Sequence, residues 1–443
     1  MNHRKKLVSA VLIAALTVVS LAGCGGAKSD TSNASEETVT LKIVESLTSE
    51  SRTKILKEIA GKYTEQHPEV SFEFISPPQE SAEQKISQML LAKDDVDIVE
   101  VRDLSQTQYV NNGWLLPLDE YLDKWDEKDT LSSASESAMV SADGKSYILP
   151  NAFYQKAIYY RKDLFEKAGI TEKPTTWKEI YEDAKKLRSD NSYGWSFRGG
   201  TYTHQQAEQI LISNIGIDRL ASPTHGYYFT KDGKTIFAQP EAKESLEFYK
   251  SLYTETAPKD SIAWGFSETV QSFENGQTAI LLQDPEVIST FNDDLQESQW
   301  DVAPFPIGDS GQALLNNGYA GWGIAEQSKH ADVAADFILF LSNAENNTYW
   351  AKSYSAVPIH TNAVEQDSYF KDSRFSVYLD MNTEADVYKF VSYPLQYQAY
   401  AEYLTLVDDY YQKYFNDTIT ADDVLKFCDE FWTKALQDEG QLW

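Results

Sequence analysis

The chain has 443 residues, 42% of them apolar and 24% charged, with a formal net charge of −29 that becomes about −32 once the cations Arg4, Lys5 and Lys6 of a leader are discounted. So large an acidic excess argues against nucleic acid and anionic membrane surfaces as partners, and the length is too great for one ordinary core, so two lobes are expected. Its two cysteines are Cys24 and Cys428; with the first expected to carry lipid, no internal disulfide can form and stability must come from the core.

At the amino terminus Arg4, Lys5 and Lys6 precede an apolar run from Leu7 to Val19 and then Leu21-Ala22-Gly23-Cys24. This is the pattern of a lipoprotein signal with its lipobox: the run is too short for a stable spanning helix, and the small residues before Cys24 suit cleavage with diacylglycerol on the thiol. Residues 1–23 are therefore expected to be a signal peptide, and Cys24 the lipidated first residue of a protein held on the outer face of the cytoplasmic membrane. Residues 24–38, rich in Gly, Ser, Asn and Glu, read as a flexible tether. No later segment approaches eighteen apolar residues, which leaves the lipid as the expected membrane attachment.

Val39, Leu41 and Ile43 alternate with polar residues and predict a strand. Ile55, Leu56, Ile59, Ala60 and Tyr63 follow helical spacing until His67-Pro68. A second strand at Val70, Phe72 and Phe74, a helix through Ile86, Met89 and Leu90, and an almost continuous apolar strand from Val96 to Val101 complete a strand-helix-strand-helix-strand order. That order predicts a parallel sheet with helices on both faces, ligands sitting beyond the carboxyl ends of its strands, here Glu45 to Thr48 and Arg102 to Asp103. Tyr147 to Leu149 read as a short strand stopped by Pro150, Asn151 to Gln155 as a loop between lobes, and Ala157 to Tyr160 as the next apolar segment. Asp163 is placed to cap a short helix ended by Gly169, and Thr176 with Glu179 to form a capping box. Beyond come the loop 192–203, helices through Leu211 and Leu246 to Leu252, and a loop around Trp264. Cys428, at helical spacing with Leu425, Phe431, Trp432 and Ala435, reads as a buried, inert thiol.

The run GKSYILPNAFYQKAIYYRKDLFEKAGITEKPTTW (Gly144 to Trp177), with FENGQTAIL (Phe273 to Leu281), DVAPFPIG (Asp301 to Gly308) and GWGIAEQSKHADVAADFILFLSNAE (Gly321 to Glu345), resembles the extracellular solute-binding proteins of ATP-driven importers, in the large family that binds sugars and polyols. The likeness covers residues 38 to 360, roughly; the last eighty or so match only in helical character. It implies an α/β, two-lobed periplasmic-binding-protein-like fold (type II), each lobe a mostly parallel sheet flanked by helices, joined by a hinge. The implied N-terminal lobe is 39–149 and 306–346 and the C-terminal lobe 150–305 and 347–443, with a crossing after Pro304-Phe305-Pro306. The implied function is the substrate-binding component of an ABC transporter, a monomer without metal or cofactor that hands a carbohydrate or polyol to permease subunits driven by a cytoplasmic ATPase.

A carbohydrate presents apolar C–H faces and vicinal hydroxyls, so its site needs flat aromatic surfaces and planar charged or amide groups. Trp264 lies in a loop, a poor place for a core aromatic. Tyr319 and Trp322 read as lying on a glycine-rich turn, the alternative for Trp322 being a strand with an inward ring. Arg198, followed by two glycines, and Asp284, ending an apolar strand before a proline, are the charges singled out; a surface ion pair or a cap is their alternative. The pattern "GW-F-RGG … WGFSE … FENGQTAILLQD" is similar to polyol-binding members of the family, in which an Arg and an Asp at these places hold hydroxyls. NAFYQKA departs from it by lacking a small serine-bearing loop, and no Trp precedes Asp284. Asn151 and Tyr154 project from the interlobe segment, and Glu45 and Arg102 from first-lobe strand ends; a satisfied turn residue or solvated charge is the alternative for each.

No metalloprotease, nucleophile-elbow, Walker or dinucleotide motif occurs, and the six histidines are dispersed. The rival function is a lipid-anchored extracellular glycoside hydrolase, because paired carboxylates carry no local motif and the chain has 68 acidic residues.

Overall fold

The computed structural model describes residues 38–441 apart from 142, 191, 223–225, 362–366 and 372. The signal peptide, Cys24 and the tether as far as residue 37 lie outside the described residues. From Thr38 onward the chain forms one compact unit, and its strands make two sheets. In the first, β1 (Val39–Val44) lies parallel between β2 (Val70–Ile75) and β3 (Ile98–Arg102). β3 is then joined antiparallel by the 13-residue β10 (Ala313–Ala325), which also pairs with β4 (Leu115–Leu116), β5 (Leu149–Gln155) and β11 (Tyr388–Val391). The second sheet runs β7 (Tyr193–Trp195), β8 (Thr278–Gln283), β6 (Ala157–Tyr160), β9 (Asp301–Ala303), and only its β7–β8 pair is parallel. Both sheets are thus mixed, and parallel pairing, expected to dominate, is confined to β2-β1-β3, β10–β11 and β7–β8. The reason is the crossing: β5, β6 and β10 pass between lobes as extended chain and pair antiparallel, without the helical crossover that parallel strands need.

The helices follow their sequence signals in most places. α1 (Glu50–Gln66) starts where the Ser49 hydroxyl accepts the Arg52 N–H at 3.2 Å, turns Ile55, Leu56, Ile59, Ala60 and Tyr63 inward, and ends before His67-Pro68. α2 (Gln79–Ala92), α3 (Asp103–Asn111), α4 (Asp119–Leu122) and α5 (Ser133–Met139) complete the N-terminal stretch. In the second lobe α6 (Lys162–Lys167) corrects an expectation: Asp163 does not cap it but pairs with Arg161, at 2.9 and 2.8 Å. α7 (Trp177–Leu187) has the capping box of Thr176 and Glu179. α8 (Thr203–Ile215), α9 (Glu241–Thr256), α10 (Phe266–Glu274) and α11 (Val287–Asp294) follow.

α12 (Ala331–Leu341) and α13 (Ala344–Tyr354) both pack on α1, beside the first sheet. Val357 then bridges to Phe153 and His360 to Leu131. The chain therefore stays with the first lobe well past residue 346, where the second crossing was expected. β10 likewise begins against α8, where the Leu314 N–H donates to the Ser213 hydroxyl at 3.0 Å, so the earlier crossing lies along β10 and not at residue 306. The helices Ser373–Thr383, Ala399–Phe415 and Ala421–Glu439 end the fold, the first packing on β9. In the last, Cys428 is fully buried, its thiol pKa raised by burial, which is the inert packing expected of it.

Candidate ligand-binding cleft

The carboxyl ends of β1 and β3 lie side by side, Val44 opposite Val99, and the carboxylate that organises them is Glu100, a lone acid in the apolar run Ile98–Val101. It is wholly buried and accepts the N–H groups of Ser46 (2.9 Å) and Leu47 (3.0 Å), the Asn151 amide (2.9 Å) and both terminal nitrogens of Arg52. Burial opposes the charge, but the Arg52 field and these hydrogen bonds outweigh it and hold the Glu100 carboxyl below its usual range. Arg52 is itself buried, with its guanidinium 4.9 Å from the Trp350 ring and 5.6 Å from the Tyr354 ring. The loop after β1 is therefore pinned from beneath.

Asn151 stands at a bulge. Ala320 pairs with Ala152 and Gly321 with Pro150, so Asn151 has no residue opposite it and is turned toward Glu100. Leu149 to Gln155 is consequently one continuous strand, not the stopped strand and loop expected, with Pro150 beside the irregularity. The Asn151 Oδ1 is buried without a hydrogen-bond partner among the described residues, and the Tyr154 hydroxyl lies against the Arg52 guanidinium. Alternation along β3, β10 and β5 puts Glu100, Arg102 and Tyr154 on one face. Arg102, at the end of β3, makes no side-chain hydrogen bond or ion pair among the described residues; burial disfavours its charge, and Glu83 and Asp103 more than offset this.

The opposite wall is one edge of the second sheet. Arg198 follows β7, Asp284 follows β8, and the pairing of Gln283 with Ala157 sets Asp284 beside Lys156. Gly199 and Gly200, after Arg198, donate backbone N–H bonds to Ser261 O (3.0 Å) and Trp264 O (2.9 Å). A Cβ at Gly199 would come within 2.4 Å of Ile262 Cα, and one at Gly200 within 2.8 Å of Trp264 O, so both glycines are required by this close approach. Burial lowers the Lys156 and Arg198 pKa values and raises that of Asp284, whose charge in turn is favoured by Lys156, Arg198 and, from across the cleft, Arg102. None of the four makes a side-chain ion pair within contact distance among the described residues.

Tyr202 belongs to the same wall. Its φ of +67° is in the left-handed region, costly for a tyrosine, and its ring lies 5.7 Å from the Arg198 guanidinium. Asp408, from the helix Ala399–Phe415, holds it: one carboxylate oxygen accepts the Tyr202 N–H at 2.7 Å, and the other bonds Nδ1 of the buried His204 at 2.6 Å. Burial works against both charges, yet the pairing raises the His204 pKa and lowers that of Asp408. The two lobes touch where the Tyr354 hydroxyl of α13 donates to Glu286, just past β8, at 3.0 Å. Burial and the neighbouring Asp284 raise the Glu286 carboxyl to about 7.

Of the residues singled out in the sequence, Arg102, Asn151, Tyr154, Arg198 and Asp284 converge on this cleft. Glu45 is buried with its oxygens accepting from the Thr53 and Ser76 hydroxyls, so it braces two loops. Tyr319 and Trp322 lie in β10 and not on a turn. Trp322 is 0% exposed, edge-on to Trp350 at 6.4 Å, and serves packing. Tyr319 is on the other face of the crossing strands, donating to Gln106 at 2.8 Å and lining a separate cavity of about 1290 Å³ with Phe153 and Gln155. Trp264 is 9% exposed and reaches the cleft through its backbone, beneath Gly200. Sequence reading missed Lys156, Tyr202 and Glu286. The first and last had a local signal, a cation between two apolar strands and an acid two residues past Asp284; Tyr202 is recruited by Asp408, 206 residues away.

Two lobes joined by extended strands, facing each other with unpartnered polar groups, define a two-lobed binding protein. The fold matches the solute-binding protein of an ABC transporter from Thermotoga lettingae bound with α-D-tagatose, at TM-score 0.77 and 18% identity over 90% of this chain and 100% of that one. The chain belongs to the bacterial extracellular solute-binding protein family, whose model matches residues 48–348. It is 26% identical over 297 residues to the mannitol-binding protein of Pseudomonas aeruginosa, 64% of each chain. It is 23% identical over 333 residues to a Brucella abortus binding protein, 74% of this chain and 78% of that one. The family is one of binding proteins, which favours the binding reading over the hydrolase.

Proposed function

We propose that the protein captures a sugar or polyol between its lobes and delivers it to an ABC permease with a cytoplasmic ATPase, without making or breaking a bond. The observation that carries this reading is the set of buried or half-buried polar groups without an ion-pair or hydrogen-bond partner among the described residues: Arg102 and the Asn151 oxygen from one lobe, Lys156, Asp284 and the Arg198 Nε from the other. Groups of this kind are costly unless a ligand hydrogen-bonds them, and a ring of vicinal hydroxyls does so with donors and acceptors together. The mannitol-binding relative and the tagatose-bound neighbour support the same ligand class. The leader and Cys24 support attachment through lipid at the outer face of the cytoplasmic membrane, and the protein acts there as a monomer.

A thermal-shift panel of sugars and polyols tests the reading, because a ligand selective for the native state raises the melting temperature by mass action. Failure of every carbohydrate to shift melting would overturn it. Release of product with turnover from glycosides would favour the hydrolase.

A further inference from the structure

Resting on the carbohydrate reading above, we infer that the ligand carries a carboxylate: a sugar acid such as a uronate or aldonate, or an oligosaccharide bearing one. The second-lobe edge presents Arg198, Asp284 and Lys156 from adjacent strands β7, β8 and β6, so two cations share one carboxylate. Among the described residues neither cation is in an ion pair, and Arg198 has the Tyr202 ring beside it. Lys156 makes no hydrogen bond or ion pair among the described residues, and the charges that act on it are those of Asp284 and Arg198. The Arg198 Nε is buried without a partner. Arg102 faces them from the other lobe, where Glu83 and Asp103 act on it, and Glu286, beside Asp284, accepts from the Tyr354 hydroxyl.

When the cleft shuts on a neutral sugar, hydroxyl dipoles must solvate this excess positive charge in place of water, which they do poorly. A carboxylate supplies one full negative charge and accepts from a planar guanidinium at two oxygens. It also fits the arithmetic of the second-lobe edge, where Lys156 and Arg198 against Asp284 leave one positive charge for a monoanion to balance, whereas a dianionic phosphate would leave excess negative charge beside Asp284.

The test is calorimetric titration of the full chain with matched pairs: glucose, glucuronate and gluconate; galactose and galacturonate; mannitol and mannonate. In at least one pair the acid is expected to bind about tenfold or more tighter than its neutral counterpart, as an added charge-assisted contact allows. Lys156→Gln is expected to reduce that acid-to-neutral ratio about tenfold, with melting of the unliganded variant confirming that it folds. A neutral sugar or polyol bound as tightly as its acid, or an unchanged ratio in the folded variant, overturns the inference while leaving carbohydrate binding intact. Binding of neither acids nor neutral sugars overturns both.

Discussion

Glu286 makes the strength of closure depend on pH. Its carboxyl, where the two lobes touch, is raised from 4.5 to about 7 by burial and by the charge of Asp284, with the Tyr354 hydroxyl, Arg52 and Arg102 opposing. When the lobes part, water reaches the group and its pKa returns toward 4.5. The closed state therefore binds the proton more tightly, so its contribution to closure is fully present below about pH 4.5 and is lost as pH rises through 7. That interval corresponds to roughly 3 kcal/mol between the two states, and residual solvent at this partly exposed side chain reduces it to about 1–2 kcal/mol, roughly a five- to thirtyfold change in affinity. Calorimetric titration of a bound sugar at pH 5, 6, 7 and 8 should show affinity falling with pH. Glu286→Gln should abolish most of the slope, leaving a smaller part from Asp103, whose carboxyl burial raises to about 6. A flat profile in the native protein, or an undiminished slope in Glu286→Gln, would refute the reasoning; a sugar acid keeps its charge throughout this range and would not produce the slope itself.

Glu100→Ala strands Arg52 as an unpaired buried cation and releases the Ser46 and Leu47 N–H groups; a loss of about 3–5 kcal/mol in denaturant unfolding is expected. Gly199→Ala drives a methyl into Ile262, so the loop carrying Arg198 must shift, lowering stability by about 1–3 kcal/mol and weakening ligand binding in the same sample. Asp408→Ala removes the acceptor that keeps Tyr202 left-handed, and about a tenfold loss of affinity is expected although Asp408 lies behind the site. Unaltered affinity in that variant would show that Tyr202 keeps its place without Asp408.

What the sequence disclosed follows from how local each signal is. β1, α1, β2, α2 and β3 were legible because period-2 and period-3.6 patterns are set by which face is buried, and α7 because its capping box closes within four residues. β5 was misread because Pro150 and the polar residues after it signal a stop, while tertiary pairing with β10 supplies the missing ladder and absorbs the irregularity at Asn151. β10 was misread for the same reason: its glycines resemble a turn, but Gly321 is needed where the strand passes Leu149 O, 2.7 Å from where its Cβ would be. Arg198 and Asp284 stand out because each is a charge at an abrupt change of pattern, and the structure places them on neighbouring strand ends. Glu45 looks the same, yet its oxygens accept from the Thr53 and Ser76 hydroxyls, which no rule of spacing ties to it.

The division of unpartnered groups between the lobes sets how a ligand can act. One that met only Arg102, Asn151 and Tyr154 would bind open and closed forms alike and shift nothing, however tightly it held. On the proposed reading, contacts with Lys156, Arg198 and Asp284 would form only on closure, so among the ligand's contacts they would supply the difference between states. Moving a population from mostly open to mostly closed takes about 5.5 kcal/mol. At about 1.5–3 kcal/mol for a hydrogen bond to a charged group, two to four such bonds on the second wall suffice. This matches the three charged groups that wall presents, and it makes that wall, more than the first, the place where the ligand is chosen.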